Sequence, residues 1–299
     1  MESSRVLSTG EKIEQIILHC VLTIFALCAL MPFILLVASS LSDEQSIISG
    51  GYTFWPRMWS TYAYEYLFQT NGTSVLRSYS ITFFITIFGT GLSLFITPLI
   101  AYALSRKDYK RASIISFFVF FAIVFNGGIV SSYTMWTSLF NIKNKIWALI
   151  FPNLLTNGFM IIIARNFFST TIYPAFIEAA KIDGANEWQI YIRIILPQSL
   201  PILATLGLMI GLGYWNDWVN GLYYITNTEL YSLQVYLSSI LLNAQAMAAM
   251  GSSAVSSMML PATTVRMAIA VIGVIPVLVL FPFFQKYFVK GIILGGVKE

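Results

Sequence analysis

Residues 174–201 read PAFIEAAKIDGANEWQIYIRIILPQSLP, the longest segment between apolar runs that carries charge together with ordered helix signals. Pro174 suits the first turn of a helix, because its fixed φ and missing N–H cost little there. Asp183 and Gly184 then interrupt the helical pattern, as turn residues do. The sequence therefore predicts a short helix that ends in a turn at Gly184.

A second short helix is predicted after this turn. Asn186 is suited to cap its first turn, with the side chain of Gln189 reaching back to the cap. Pro197 and Pro201 are expected to end this helix and to open the next apolar run. The product is a helix-turn-helix elbow with four charged side chains expected to face water: Glu178, Lys181, Asp183 and Glu187.

The composition indicates that the elbow lies at a membrane surface. Hydrophobic residues make up 57% of the chain and charged residues 10%, whereas a soluble domain has about 25% charged residues. Two cysteines, Cys20 and Cys28, lie too far apart along one apolar run to form a disulfide. The basic residues lie beside apolar runs, which indicates membrane topology rather than binding to nucleic acid.

Several apolar runs are long enough to cross a bilayer, at about 20 residues each. They are predicted near residues 16–37, 79–104, 113–131, 146–164, 202–222 and 266–288. Asn126 and the two glycines after it interrupt the third run, and irregular backbone at that depth needs cover from protein or a water-filled cavity. The predicted fold is an all-α integral membrane protein with six transmembrane helices in a single domain, residues 1–299, and an elbow-containing loop at 165–201.

The distribution of lysine and arginine predicts the orientation of this fold. If the amino terminus is cytoplasmic, five of the 17 basic residues fall outside: Arg57, Arg77, Lys143, Lys145 and Arg266. The others lie in segments on the inner side, and cytoplasmic loops are the ones enriched in Lys and Arg. Both termini and the elbow are therefore predicted to be cytoplasmic.

The elbow resembles the EAA loop of ATP-binding-cassette (ABC) importer permeases, the segment through which a membrane subunit docks on its ATPase. The likeness rests on EAA at 178–180, DGA at 183–185 and IILP at 194–197. GGIVSSYTMW at 127–136 and LFNIKNKIWALIFPN at 139–153 are similar to the third and fourth spans of sugar-uptake permeases. Residues 215–234 and 285–299 resemble the family as well, so the likeness covers most of the chain from the second span onward.

By this resemblance the chain is identified as a carbohydrate-uptake permease with the type I ABC importer fold, in a bacterial cytoplasmic membrane. The implied site for ATPase coupling consists of Glu178, Ala179, Ala180, Asp183, Gly184, Leu196 and Pro197. The implied partners are a homologous second permease subunit, two ATP-binding cassette subunits, an extracellular solute-binding protein, membrane lipid and an oligosaccharide substrate. ATP and Mg²⁺ belong to the cassette subunits by this resemblance, so no cofactor is expected in this chain.

Two outer segments keep two interpretations each. Residues 39–78 are rich in aromatic side chains, which fit an interfacial belt or contact with a docked extracellular partner. Residues 223–264 contain the low-complexity stretch NAQAMAAMGSSAVSSMM. This stretch resembles the outward loop that reaches toward the binding protein in related importers, and it also fits a flexible linker.

Absent motifs limit the function. The sequence has no G-x-x-x-x-G-K-[ST] phosphate loop, so the energy of ATP must enter through another subunit. A membrane-embedded hydrolase needs a nucleophile with its base, or a set of metal ligands, and neither pattern occurs. The alternative function, an ion-coupled secondary transporter of a polar solute, needs coupling carboxylates at mid-membrane and often repeated halves, which the sequence lacks. The chain is therefore predicted not to be an enzyme.

The sugar path is predicted in the fifth span, which contains YWNDW at 214–218. Sugar recognition uses flat aromatic faces together with amide or carboxylate groups. On one continuous helix Trp215 and Trp218 share a face, and Asp217 lies nearer another. Trp218 fits an interfacial anchor equally well, and Asp217 a cap or a partner for a neighbouring helix. The candidate path residues are Trp215, Asn216, Asp217 and Trp218, with Asn126 and Tyr133 in the interrupted third span.

Overall fold

The structure is a computed structural model that describes residues 9–172, 174–249 and 262–296. Helices account for the regular structure in these ranges. In chain order they are α1 (Thr9–Ser40), α2 (Glu44–Gly50), α3 (Tyr62–Ser105), α4 (Ala112–Val124), α5 (Gly128–Thr134), α6 (Gly158–Thr171), α7 (Pro174–Ile182), α8 (Glu187–Ile190), α9 (Leu196–Gln198), α10 (Leu200–Trp215), α11 (Val219–Tyr224), α12 (Leu233–Ala249) and α13 (Ala262–Gly296). Two π-helical turns (Met135–Leu139 and Tyr191–Ile195) and two 3₁₀ turns (Ile146–Leu149 and Thr228–Leu230) complete them.

Three stretches of helix are long and apolar enough to cross a membrane by themselves. They are Lys12–Ser40, Gly72–Ser105 and Thr263–Leu280. Three bent helix pairs bring the number of possible spans among the described residues to as many as six. The predicted first, second and sixth runs lie inside α1, α3 and α13, which extend beyond the apolar residues because helical hydrogen bonding continues into polar sequence.

The third span is broken where the sequence predicted an interruption. Helix α4 ends at Val124, and the next helical stretch, Gly128–Leu139, leaves at 114° to it. The Asn126 side chain accepts a hydrogen bond from the Gly128 N–H at 2.9 Å. This bond replaces a helical partner at the break.

The prediction of a fourth span at 146–164 is wrong in its first half, because helix α6 begins only at Gly158. Residues 150–157, the unwound segment, follow a 3₁₀ turn and are not helical. Their backbone carbonyls accept hydrogen bonds from distant side chains instead: Tyr214 Oη to Ile150 O at 2.9 Å, Asn220 Nδ2 to Pro152 O at 3.0 Å and Ser93 Oγ to Leu155 O at 2.8 Å. Apolar composition alone therefore predicted a helix in a segment where three side chains, rather than helical N–H groups, bond to the backbone carbonyls.

The fifth span, predicted as one helix over 202–222, is also broken. Helix α10 ends at Trp215 and α11 begins at Val219. The Asp217 carboxylate accepts a hydrogen bond from the Asn220 N–H at 3.3 Å, at the start of α11. Because the helix does not continue through residues 216–218, the shared face predicted for Trp215 and Trp218 is wrong.

Contacts divide the chain into two units, residues 1–72 with 241–274 and residues 73–240 with 275–299. The predicted single domain stays a prediction. In the second unit, one apolar core joins α3, α6, the elbow and α10 through buried residues such as Ala101, Ile161 and Leu206. A second apolar core packs the start of the unwound segment against α3 and α11.

In the first unit, Glu44 caps a helix that lies far along the chain. Its carboxylate accepts hydrogen bonds from the N–H of Thr263 at 2.9 Å, and from the N–H and hydroxyl of Thr264 at 2.7 Å each. These donors belong to the first turn of α13, whose N–H groups have no helical acceptor. A carboxylate is stabilised at this end of a helix by the helix dipole.

Most of the low-complexity stretch within the outer segment 223–264 lies outside the described residues. Helix α12 occupies Leu233–Ala249, and residues 250–261 are not described. The choice between a linker and a partner-binding loop stays open there.

Candidate coupling site and substrate path

The elbow consists of α7, a turn, and a second helix that runs from α8 through a π-helical turn into α9. The predicted capping box is confirmed. Asn186 Oδ1 accepts from the Gln189 N–H at 2.8 Å, and Gln189 Oε1 accepts from the Asn186 N–H at 2.9 Å. Gly184 lies in the left-handed region with φ of +80°, which glycine adopts without the strain that a Cβ would add.

The second elbow helix ends at Gln198, between the two prolines that were predicted to stop it. The turn before it, Tyr191–Ile195, is π-helical. In a π turn each carbonyl bonds to an N–H five residues on, and the Leu196 N–H bonds to Tyr191 O in this way. The chain then bends by 80° into the broken fifth span, Leu200–Tyr224, and Pro201 lies in the first turn of α10 as predicted.

The two faces of the elbow differ in exposure. Ala180, Ile190 and Ile195 are buried in the core shared with α3 and α6. The opposite face exposes most of the predicted coupling residues, namely Glu178, Ala179, Asp183, Gly184 and Pro197, while Leu196 is half-buried. The side chain of Ile182, directly before the turn, is 86% exposed. Among the described residues, Glu178 forms no ion pair.

The elbow is tied to the end of α3 by a cluster that we term the charged junction: Tyr102, Arg106, Asp108, Lys181 and Glu187. Arg106 donates two hydrogen bonds to Asp108, from Nε at 2.8 Å and from Nη2 at 2.6 Å. Lys181 Nζ lies 2.9 Å from Asp108 Oδ2 and 3.1 Å from Glu187 Oε1. Lys181 and Glu187 are exposed to water as predicted, but they are not free, because each has an ion-pair partner across the junction.

Tyr102 and Arg106 complete the junction from its buried side. The Tyr102 hydroxyl donates to Glu187 Oε2 at 2.8 Å and accepts from Arg106 Nη1 at 3.1 Å. Arg106 Nη2 reaches Glu187 Oε1 at 3.4 Å, and its side chain is 11% exposed. One guanidinium therefore contacts both the loop after α3 and the second helix of the elbow.

These contacts shift the pKa values of the charged members. The hydrogen bonds from Arg106, and then from Lys181, hold the pKa of Asp108 well below its usual range. The pKa of Arg106 is raised mainly by its bond to Asp108, and that of Lys181 is raised by Asp108 and Glu187. Burial alone raises the pKa of Glu187, but hydrogen bonds from Tyr102 and Lys181 outweigh it and lower the pKa overall. All four groups are consequently charged at neutral pH.

Sequence reasoning missed the contribution of the loop after α3. Residues 106–111 read RKDYKR, a run that was used only as evidence of topology. Asp108 is the single acid in this run, and an acid placed among cations is a signal that it holds one of them in a fixed geometry. The partner segment lies more than 70 residues away, so local patterns do not reveal it.

The predicted path residues of the fifth span separate into buried and exposed groups. Trp215 is 3% exposed and packs edge-on against Phe83, with ring centroids 5.2 Å apart. Asn216 is exposed, and Trp218 is 50% exposed at the start of α11. Asp217 Oδ2 is buried without a hydrogen-bond partner among the described residues.

The path residues of the third span lie after its break. The ring of Tyr133 stacks on that of Tyr224, with centroids 5.6 Å apart, so the stretch after the third-span break lies against α11. Lys143 Nζ lies 6.0 Å from the centre of the Tyr133 ring. Asn126 is exposed and holds the break itself. The structure thus brings Tyr133 against the end of α11, beyond the break in the fifth span.

The sequence pattern of one protein family extends over nearly the whole chain. The family described as "Binding-protein-dependent transport system inner membrane component" matches residues 7–294. The chain belongs to this family. It is a membrane-embedded permease component of an ABC importer, and the predicted family and type I permease fold are confirmed.

Two curated relatives from Bacillus subtilis (strain 168) are similar to this permease over nearly all of its length. The polygalacturonan/rhamnogalacturonan transport system permease protein YtcP is 35% identical over 287 residues, which are 96% of this chain and 99% of the relative. Protein LplC is 34% identical over 269 residues, 90% of this chain and 89% of the relative.

A solved structure is similar to this permease in fold. It is the crystal structure of a bacterial ABC transporter involved in the import of the acidic polysaccharide alginate. The TM-score is 0.77 with 31% sequence identity, and the match covers 95% of this chain and all of that chain, 100%.

Proposed function

We propose that this permease is one of two related membrane subunits of an importer, and that the exposed face of its elbow docks on a cassette ATPase in the cytoplasm. An extracellular binding protein delivers the cargo, and both chain termini are cytoplasmic. The observation that carries the docking proposal is the exposed surface of Glu178, Ile182 and Asp183 around the left-handed Gly184, on a helix pair whose other face is buried.

The proposed cargo is an acidic oligosaccharide. Two of the compared proteins carry names that refer to acidic polysaccharides, polygalacturonan and alginate. More distant relatives are named for arabinooligosaccharides and for melibiose, raffinose and stachyose, which supports an oligosaccharide more broadly.

The proposed sugar path runs past the two broken spans. Asn216 and Trp218 are exposed there, and Asn126 and Tyr133 flank the other break. Aromatic faces and amides are the groups that contact sugar rings and hydroxyls. We assign Trp215 and Asp217 to the same path as supporting groups, because their packing and capping position the segment that carries Trp218.

Docking is tested with Glu178→Lys and Gly184→Val in the assembled transporter. Both variants are expected to insert normally, to lose co-purification of the cassette subunits and to lose sugar uptake. Lysine reverses the charge of an exposed anchor, and valine is strained at the positive φ of the turn.

Two matched controls separate docking from general damage. Glu14→Lys makes the same charge reversal on exposed α1, and Gly51→Val introduces the same strain at a glycine with φ of +73° after α2. Both controls are expected to keep cassette association. Normal association in the two elbow variants would show that the elbow is not the docking site.

A further inference from the structure

Ion pairs and hydrogen bonds link the loop after α3 to the elbow at the charged junction, while an apolar core packs the end of α3 itself against the elbow. A cavity of about 600 Å³ lies between this loop and the first part of α7, lined by Tyr109 and Ala112 on one side and by Ile177 and Glu178 on the other. Lys181, at the end of α7, reaches across to Asp108. Polar contact between the two segments is therefore concentrated at the charged junction.

The junction joins three segments rather than two. Asp108 belongs to the loop after α3, Lys181 to the first elbow helix and Glu187 to the second. Arg106 contacts the loop and the second elbow helix, while Lys181 contacts the loop from the first. The turn at Gly184 lies between Lys181 and Glu187, so the same cluster also fixes the angle of the turn.

The junction leaves the predicted docking residues free. Glu178 and Asp183 take no part in it, and Ile182 is exposed. A partner that binds the exposed face of the elbow does not have to break any of the junction contacts. The junction can therefore persist while the elbow is docked.

We propose that the charged junction transmits movement of the docked elbow to α3, the second span, and that Arg106 and Asp108 are positioning residues for coupling rather than docking residues. This inference rests on the proposed docking of the elbow. The planar guanidinium of Arg106 gives its hydrogen bonds a fixed geometry. Together with the Lys181 ion pairs, these bonds hold the loop and both elbow helices as one body. Movement of the elbow then shifts the cytoplasmic end of α3 with it.

The first test measures association, ATPase activity and uptake in Arg106→Gln and Asp108→Asn, reconstituted with the binding protein and cassette subunits. Cassette association and ATP hydrolysis are expected to persist, while sugar taken up per ATP falls about tenfold, within the usual range for coupling between sites. Asp108→Asn guards against misfolding, since Asp108 is more exposed than Arg106. Arg106→Lys keeps the charge and is expected to restore part of the uptake.

The second test replaces the ion pair by a covalent link. In a Cys20→Ala, Cys28→Ala background, Asp108→Cys with Lys181→Cys is expected to be uncoupled until a flexible bismaleimide joins the two thiols. Linking is expected to restore uptake, because the two segments move as one body. A link that leaves uptake low or blocks it would overturn the proposal, as would unchanged uptake per ATP in Arg106→Gln and Asp108→Asn.

The two proposals fail in different experiments. If the elbow does not dock, Glu178→Lys keeps cassette association although the junction is intact. If the junction does not transmit movement, the junction variants keep normal coupling although Glu178 is intact. Loss of cassette association in the junction variants would show that the cluster only shapes the docking surface, and would also overturn transmission.

Discussion

The charged junction and the unwound segment each hold a non-helical stretch of the chain in place through side chains, but the chemistry of the contacts differs. The junction joins charged side chains whose carboxylates are more than half exposed to solvent. The unwound segment joins neutral side chains to backbone carbonyls, and two of its three bonds are buried. Exposed ion pairs are worth little each, whereas a buried carbonyl that loses its donor costs about 1–3 kcal/mol. The stability of the fold therefore depends more on the bonds to the unwound segment than on the junction. The junction contacts can then transmit movement without a large contribution to stability.

The largest effect is expected at Gly89, which lies against the Tyr214 ring whose hydroxyl bonds to the unwound segment. A Cβ added to Gly89 in α3 would lie 2.4 Å from the Tyr214 ring, closer than packing permits. Gly89→Ala is therefore expected to displace the ring and to break its hydrogen bond to Ile150. Overpacking of this kind lowers the free energy of unfolding by about 1–3 kcal/mol. Thermal unfolding in detergent measures this loss.

Gly91→Ala is the matched control in the same helix. Nothing lies within 4 Å of a Cβ built there, and alanine favours a helix over glycine by about 0.5–1 kcal/mol. A stability equal to that of Gly89→Ala would contradict the packing argument.

The next effect comes from removing a single hydroxyl. Tyr214→Phe keeps the ring but leaves the buried Ile150 carbonyl without its donor, at about 1–3 kcal/mol. Tyr223→Phe removes a hydroxyl from a half-exposed ring on α11 and is expected to change stability much less. Equal melting temperatures for the two variants would show that the Tyr214 hydrogen bond does not contribute to stability.

A smaller effect is expected from the junction. Asp108→Asn breaks ion pairs with Arg106 and Lys181, and for exposed pairs the loss of stability is below about 1 kcal/mol. High salt is expected to shrink the difference from the wild type further, because it screens exposed charges. If Asp108→Asn destabilised the protein more than Tyr214→Phe, the assignment of stability to the unwound segment and of movement to the junction would be wrong.

The smallest effect is expected from pH. The folded-state pKa values of Asp108 and Glu187 are lowered, so their stabilisation is complete above the unfolded value of about 4. It is lost as the pH falls through the lower folded values. Between pH 6 and 8, about two units or more above those values, melting temperature is expected to show no titration from the junction. A step in that range that Asp108→Asn abolishes would contradict the assignment.

Local chemistry predicted what lies within a few residues in the chain. The elbow, its capping box at Asn186 and Gln189, and the break at Asn126 were all read from neighbouring residues, and the structure confirms them. These features form because a side chain bonds to backbone no more than three residues away.

Long-range partners account for what the sequence did not predict. Residues 150–157 lie inside a predicted apolar run, and the donors that satisfy their carbonyls come from α3, α10 and α11. Lys181 and Glu187 face water as expected, but their partners in α3 and in the loop after it were not predicted, because these lie far away in the chain. The sequence pattern of one segment does not reveal its long-range partners, since these depend on which segments the fold places side by side.

The Glu44 cap has a consequence for how the chain is made. Its partners at Thr263 and Thr264 are up to 220 residues away, and at about 5–20 residues per second the ribosome needs tens of seconds to reach them. During that time the Glu44 carboxylate of α2 has no α13 donors from which to accept hydrogen bonds. Any chain that stops before residue 264 leaves this carboxylate without its helix, so the contacts of Glu44 form only after residue 264 has been synthesised.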